Sequence, residues 1–293
     1  MDTSTKNEGG QGRTITVSEM MSLLSAKPLQ DDLSTLTQPL KETSLEEEYS
    51  IIFVQTVEGV AELLEELTGL PTEPPSLYID LEGVNLSRHG TISIIQIFVY
   101  PIKRTFLVDI HTLKGSAFSA PASNGSTLHS ILESPSIPKV FFDVRNDSDA
   151  LFSHYQITLA GVQDIQLMEL AQRSFNRRCV NNLGKCIEYD ASLTPDERKH
   201  WKSTKDTGRK LFCPEQGGSY DVFNIRSLSD EIIQYCAQDV QFLPRLWHKY
   251  DRAMSQRWKA KVEKEVRNRI ELSKSSNYIP EGRHRALAPK GWA

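Results

Sequence analysis

The sequence predicts an α/β protein: a mixed β-sheet, opened by a three-stranded meander and continued by strand–helix units, with helices on both faces. Three observations carry that reading. Residues 77–109 hold three apolar runs separated by turn-forming residues. Residues 127–175 alternate extended and helical patterns, which builds a parallel extension onto the meander. A long helical stretch follows only after residue 227.

In chain order, residues 1–48 are rich in Ser, Thr, Gln and Asp and end in Glu46-Glu47-Glu48. Apart from a short amphipathic stretch at Val17–Leu24, this composition buries too little apolar surface to offset ordering. A largely disordered acidic tail is expected. Ordered structure should begin with a strand at Ile51-Ile52-Phe53-Val54. A helix follows with Val60, Leu63, Leu64 and Leu67 on one face, stopped by Pro71, Pro74 and Pro75. Leu77–Glu82, Ile92–Val99 and Phe106–Asp109 read as the meander strands, with a turn around Ser87–Gly90. Next come a helix near Thr127–Leu132, a strand Lys139–Phe142, a helix near Ser148–Tyr155, a strand Val162–Ile165 and a helix near Gln166–Phe175.

Residues 203–224, with Gly208, Pro214, Gly217 and Gly218, read as a loop or lid. Ser227 or Ser229 then caps a helix whose Ile232, Cys236, Val240 and Leu243 share a face, and Pro244 should kink or restart it. Trp258, Val262, Val266 and Ile270 mark a last amphipathic helix. The chain thus divides into a tail at 1–48, a domain at 49–250, and a basic C-terminal helix and tail at 251–293, packed on the domain or extending from it.

The 293 residues are 39% hydrophobic and 25% charged, an ordinary globular balance that excludes wholesale disorder. No run approaches the roughly 20 apolar residues of a membrane span. The first residues lack the basic and apolar regions of a secretory signal, and their acidity argues against a mitochondrial presequence. Four cysteines in a chain this long make no disulfide scaffold. An intracellular protein of the nucleus or cytoplasm, with no membrane partner, is expected. Residues 1–70 carry 4 Lys+Arg against 13 Asp+Glu, and the remainder 30 against 25, a balance that hints at a polyanion partner for the body of the chain.

Three acidic features bear on chemistry. Asp80 and Glu82 lie two apart on a strand, so both carboxylates leave the same face. Side-by-side anions call for a cation, and hard oxygen ligands suit Mg²⁺ or Mn²⁺, although such pairs also serve as solubilising charge. Tyr235 and Asp239, four apart, share a helix face. Asp143, Asp147 and Asp149 crowd the start of a helix, where its dipole favours any of them.

Taken together, Tyr78-Ile79-Asp80-Leu81-Glu82-Gly83, then Lys139-Val140-Phe141-Phe142 with Asp147-Ser148-Asp149-Ala150-Leu151, then Tyr235-Cys236-Ala237-Gln238-Asp239-Val240, resemble the DEDDy 3′–5′ exonucleases, the group of ribonuclease D and the Werner exonuclease domain. The eukaryotic 3′–5′ exonuclease domain-containing proteins are the nearest type, and the resemblance spans roughly residues 50–250. It implies a ribonuclease H-like fold and a site of Asp80, Glu82, Asp147, Tyr235 and Asp239. Asp147 is selected because relatives place an apolar residue four positions on; Leu151 meets this, whereas Asp143 and Asp149 lead to Asp147 and Ser153. Relatives often carry His five residues before that aspartate, where this chain has Phe142.

The implied activity is two-metal hydrolysis of phosphodiesters from the 3′ end of RNA or single-stranded DNA. Asp80, Glu82, Asp147 and Asp239 would hold two divalent cations, Mg²⁺ or Mn²⁺, one activating water and one stabilising the leaving oxygen. Tyr235 would orient the water. Arg88, His89, Arg209, Lys210 and Arg226 are candidate phosphate contacts. A non-catalytic RNA-binding adaptor keeping the same fold is the alternative, although all four acids and the Tyr are present. No zinc spacing, Walker motif or Gly-x-Ser-x-Gly occurs.

Overall fold

The apolar runs pair into one sheet. In the computed structural model, which describes residues 49–292, the strands are β1 (Ser50–Val54), β2 (Leu77–Glu82), β3 (Ile94–Val99), β4 (Arg104–Asp109), β5 (Lys139–Phe141) and β6 (Val162–Asp164). Their order is β1-β4-β3-β2-β5-β6. β2, β3 and β4 are antiparallel neighbours, the expected meander. β5 and β6 extend the β2 edge in parallel, the expected strand–helix units, and β1 pairs in parallel with β4 on the other edge. The tail at 1–48, with its stretch Val17–Leu24, lies outside the described residues.

Helices α1 (Val57–Glu66), α2 (Leu128–Glu133), α3 (Arg145–Tyr155) and α4 (Ile165–Gln172) appear where the periodicity places them. Their N-termini follow from sequence chemistry: Thr56, Thr127 and Asp164 each accept a backbone N–H with the side-chain oxygen. α5 (Leu183–Asp190) and α6 (Pro195–Phe212) precede α7 (Asp230–Gln241), α8 (Leu243–Ala253) and α9 (Gln256–Lys274). Ser229 caps α7, and Pro244 sits in the first turn of α8, as expected.

The reading of 203–224 as loop or lid is corrected over its first half, because α6 runs through Phe212. Its signal is the reciprocal cap of Thr194 and Glu197, with Pro195 in the first turn, which satisfies the free N–H groups at that end. Gly208 is not a breaker there. A Cβ at this position would lie 2.5 Å from the Tyr235 ring, so glycine lets α6 close onto α7. Only 213–224, with two short 3₁₀ turns, is irregular.

Side chains alternate across the sheet into two apolar layers. Ile94 and Leu107 pack with Ile232, Cys236 and Ala237 of α7 on one face. Ile79, Leu81, Ile95 and Ile97 join Val60, Leu63 and Leu64 of α1 in the cluster on the other. The expected boundary at 250 falls inside α8. Val262, Val266 and Ile270 of α9 enter the same core, so the C-terminal helix is packed on the domain.

Two inward positions of α9 are polar, Arg269 and Ser273. Arg269, 5% exposed, donates to Asp164 Oδ2 (2.6 Å) and Gln166 Oε1 (3.0 Å). Asp164 also accepts backbone N–H groups of Asp143 and Gln166, both at 3.0 Å. Nearby, Asp143 adopts a left-handed φ of 63° and receives Arg145 and Arg285. Burial disfavours its ionised form, but the Arg145 hydrogen bonds and the charges of Arg269, Arg145 and Arg285 prevail, holding its carboxyl down at about 2.

Two outcomes are expected. Arg269→Met leaves the buried Asp164 charge without its cation and should cost about 3–5 kcal/mol, read as lowered chemical-denaturation midpoint. Asp143 is depressed from its ordinary 3.8, so its contribution is complete above about pH 4 and lost as pH falls towards 2. An acid titration of stability should show about 2 kcal/mol less of this loss in Asp143→Asn than in the native chain.

Candidate active site

β2 lies at the sheet centre between β3 and β5, so residues on it are fixed from both sides. Alternation sends Asp80 and Glu82 to the face covered by α7, opposite Gln96 and Ile94 of β3. The chain leaves Glu82 through Gly83, where a Cβ would lie 2.0 Å from the Thr91 carbonyl oxygen. Glycine is what lets the loop fold back so closely at the edge of the site. From α7, Tyr235 and Asp239 point to the same place, both nearly buried. Carboxylate oxygens of Asp80, Glu82 and Asp239 lie within 4.8 Å of one another.

Asp147 comes from the first turn of α3 and is 5% exposed. It lies outside that tight trio, yet Asp80 exerts the largest charge effect on it. The other two aspartates of the stretch are committed elsewhere: Asp143 to three arginines, and Asp149, fully buried, to the backbone N–H and Nε of Arg88, both at 2.7 Å. The structure therefore separates three residues that the helix dipole alone cannot.

Crowding shows in the proton affinities. Burial first, and then the Asp239 charge, push Asp80 up to about 7. Burial followed by the charges of Asp80 and Asp239 raises Glu82, and burial followed by Asp80 raises Asp147. Burial, then Asp239, raises the Tyr235 phenol. These groups hold protons tightly unless positive charge arrives.

One cation is built in. Lys205 of α6 donates its ammonium to both Asp239 oxygens, at 2.8 and 3.1 Å, and lies 5.1 Å from the Tyr235 ring centroid. Sequence reading missed it because 203–224 was taken for a loop; recognising the Thr194–Glu197 cap places Lys205 one turn before Gly208, on the side that meets α7. Gln96 was missed too. It is fully buried beside Asp80, and neither amide atom finds a partner among the described residues. Nothing in its apolar strand context distinguishes it.

The candidate phosphate contacts separate into two groups. Arg88 is occupied by Asp149 and the Ser273 carbonyl, and Arg226 by buried Asp109 and the Phe223 and Ile225 carbonyls. Both guanidiniums are partly exposed and already engaged in ion pairs with buried carboxylates. His89, Arg209 and Lys210 are exposed; the last two share α6 with Lys205.

The trio fits a divalent cation. An ion with oxygen ligands at about 2.1 Å spans such separations after small rotations, and three neighbouring anions opposed by one ammonium leave negative charge to be balanced. Lys205→Met should lower the melting temperature in chelator, and added Mg²⁺ or Mn²⁺ should restore more of it than they add to the native chain. Equal response in both proteins, followed by calorimetry, would mean the ammonium does not oppose cation binding.

A family model described as 3′–5′ exonuclease matches residues 51–254. Among solved structures, Trypanosoma brucei RNase D in complex with RNA U12 has a TM-score of 0.62 at 22% identity, over 83% of this chain and 77% of that one. Its GMP complex gives 0.64 at 24%, over 83% and 70%. The catalytic core of RRP6 from the same organism gives 0.50 at 19%, over 76% of this chain and about half of that one, 51%. These likenesses establish a ribonuclease H-like fold. No curated protein matches the chain.

Proposed function

The chain belongs to the 3′–5′ exonuclease family, and from that premise we propose that it is a metal-dependent 3′–5′ exonuclease of the DEDDy type, acting on RNA or single-stranded DNA. The observation that carries the reading is the convergence of Asp80, Glu82 and Asp239 from two elements at the sheet centre, with Asp147 and Tyr235 beside them.

In this reading Asp80, Glu82, Asp147 and Asp239 hold two divalent cations, Mg²⁺ or Mn²⁺. Bound there, the cations supply Lewis acidity towards the phosphodiester and its attacking water. The chain's own residues do the rest. Tyr235, with its phenol kept protonated by burial, donates or accepts one hydrogen bond to align the water without competing as an anion. Lys205 balances Asp239 and is near enough to meet a phosphate oxygen as the strand end enters. Tyr235 and Asp239 are buried between α7 and the sheet, which strengthens the interactions they make.

The adaptor alternative has one observation in its favour. Lys205 already neutralises Asp239, so the acids could persist as a structural ion cluster without turnover. Incubation with matched 3′-labelled and 5′-labelled RNA and DNA oligomers, with Mg²⁺, Mn²⁺ or chelator, separates the two. Stepwise shortening of the 5′-labelled strands, abolished by chelator, supports the enzyme; intact strands under every condition support the adaptor.

Asp80→Asn keeps shape but removes a cation-binding charge, so activity should vanish while the melting curve survives. Tyr235→Phe should retain metal and strand affinity yet lose roughly 10²–10⁴ in rate, measured by single-turnover kinetics. A wild-type rate in the Phe variant would reduce Tyr235 to packing.

A further inference from the structure

With Arg88 and Arg226 already paired with buried carboxylates, a bound strand needs other cations. A concentrated set lies where residues 173–180 meet the segment after residue 282, the latter outside the residues the family model matches. The segment after α9 runs back across the protein, and Arg285 hydrogen-bonds Asp143 (3.0 Å), four residues before Asp147 in the chain. Beyond that point it pairs with residues 178–180. The Val180 N–H donates to the Ala286 carbonyl (3.0 Å) and the Ala288 N–H to that of Arg178 (2.9 Å), around an antiparallel bridge of Cys179 and Leu287.

The two paired stretches share a composition. Residues 170–187 and 282–292 contain no Asp or Glu and carry exposed cations, among them Arg178, Arg283 and Lys290. None of these three side chains has a partner among the described residues. The outer face of α9 differs, because Glu263, Glu265 and Glu271 interleave its cations.

The surface is rigid. Trp292 stacks edge-on to Trp258, with Lys261 over both rings and Arg177 over Trp258. Arg173, anchored on Glu169, donates to the carbonyls of Asn176 (3.1 Å) and Cys179 (2.8 Å), closing the intervening turn. That turn holds Phe175 out at 80% exposure. Leaving such a ring in water forgoes the stabilisation of burial, in a turn that Arg173 ties at two carbonyls.

We propose that the paired stretches 173–180 and 283–290 form a second binding surface for single-stranded nucleic acid, on which Arg178, Arg283 and Lys290 contact backbone phosphates and Phe175 stacks on a base. Exposed cations interleaved with a presented aromatic ring match a polyanion that also carries flat faces. Arg285 makes the surface continuous with the acidic site, so it would hold the strand upstream of a 3′ end lodged there. Only that direction rests on the exonuclease reading; the binding does not.

The test is fluorescence anisotropy in chelator, with 5′-labelled single-stranded RNA and DNA of about 20 nucleotides and an abasic strand of equal length, over a salt series. Arg178→Gln with Arg283→Gln and Lys290→Gln should flatten the slope of log affinity against log salt by roughly 0.7 per lost contact, about 2 in all. Phe175→Ala should weaken RNA or DNA binding at least about fivefold and leave the abasic strand unchanged. The charge-matched triple Arg257→Gln, Lys264→Gln and Arg267→Gln on α9 should leave the slope intact. An unchanged slope in the first triple, or an equal loss in the second, overturns the proposal. Because no cleavage occurs in chelator, a protein that binds in this way but never shortens a strand would defeat the exonuclease reading alone. One that shortens strands with an unaltered slope would defeat only this surface.

Discussion

Repulsion among carboxylates at the sheet centre is the constraint on which the rest of the structure depends. Two unit charges about 4 Å apart interact by on the order of 4 kcal/mol in a partly screened protein setting. Asp80, Glu82 and Asp239 lie within that range of one another, so their full ionisation would consume a large share of a domain's net stability, which is about 5–15 kcal/mol. The fold tolerates them because their positions are not free to relax. β2 is clamped by β3 and β5, and α7 is seated on the same face by Ile232, Cys236 and Ala237. Rigid packing elsewhere maintains an arrangement that electrostatics opposes.

The choice of counter-ions sharpens the contrast. Among the described residues, each buried carboxylate away from the site is matched to an arginine: Asp109 to Arg226, Asp149 to Arg88, Asp164 to Arg269 and Glu169 to Arg173. At the site, Asp239 is matched to Lys205 instead. A guanidinium fork fixes its partner through parallel hydrogen bonds, whereas an ammonium is a compact charge on a flexible stem. Arginine builds permanent joints between elements distant in sequence, such as α3 to the loop after β2. Lysine supplies a counter-charge that can yield to another cation or follow a phosphate.

Much of this was legible in the sequence, for reasons specific to each element. The meander showed because its three runs alternate or are fully apolar, and α1, α7 and α9 because each repeats apolar residues along one face. Asp80, Glu82, Tyr235 and Asp239 were legible as pairs, since spacings of two on a strand and four on a helix fix a shared face. α6 was hidden by its composition: it is highly polar, buries only Trp201 and Gly208, and contains a glycine that reads as a break. Its helicity is written in the Thr194–Glu197 cap, and the reason for Gly208 lies 27 residues away in Tyr235. The partners of Arg88 and Arg226 were hidden for a related reason: each guanidinium pairs with a buried carboxylate 61 or 117 residues distant, which no local spacing reveals.

That pairing has a consequence for how a strand would be held. Near the acids, cations able to grip phosphate would also bind the carboxylates, and the arginines there have done so. Arg178, Arg283 and Lys290 avoid such pairing because the stretches 170–187 and 282–292 that carry them contain no Asp or Glu. Arg285 stands at the junction: its guanidinium belongs to Asp143, its charge reaches Asp147, and its backbone carbonyl receives Arg145. One arginine therefore links the acid-free stretches to the carboxylates at the start of α3.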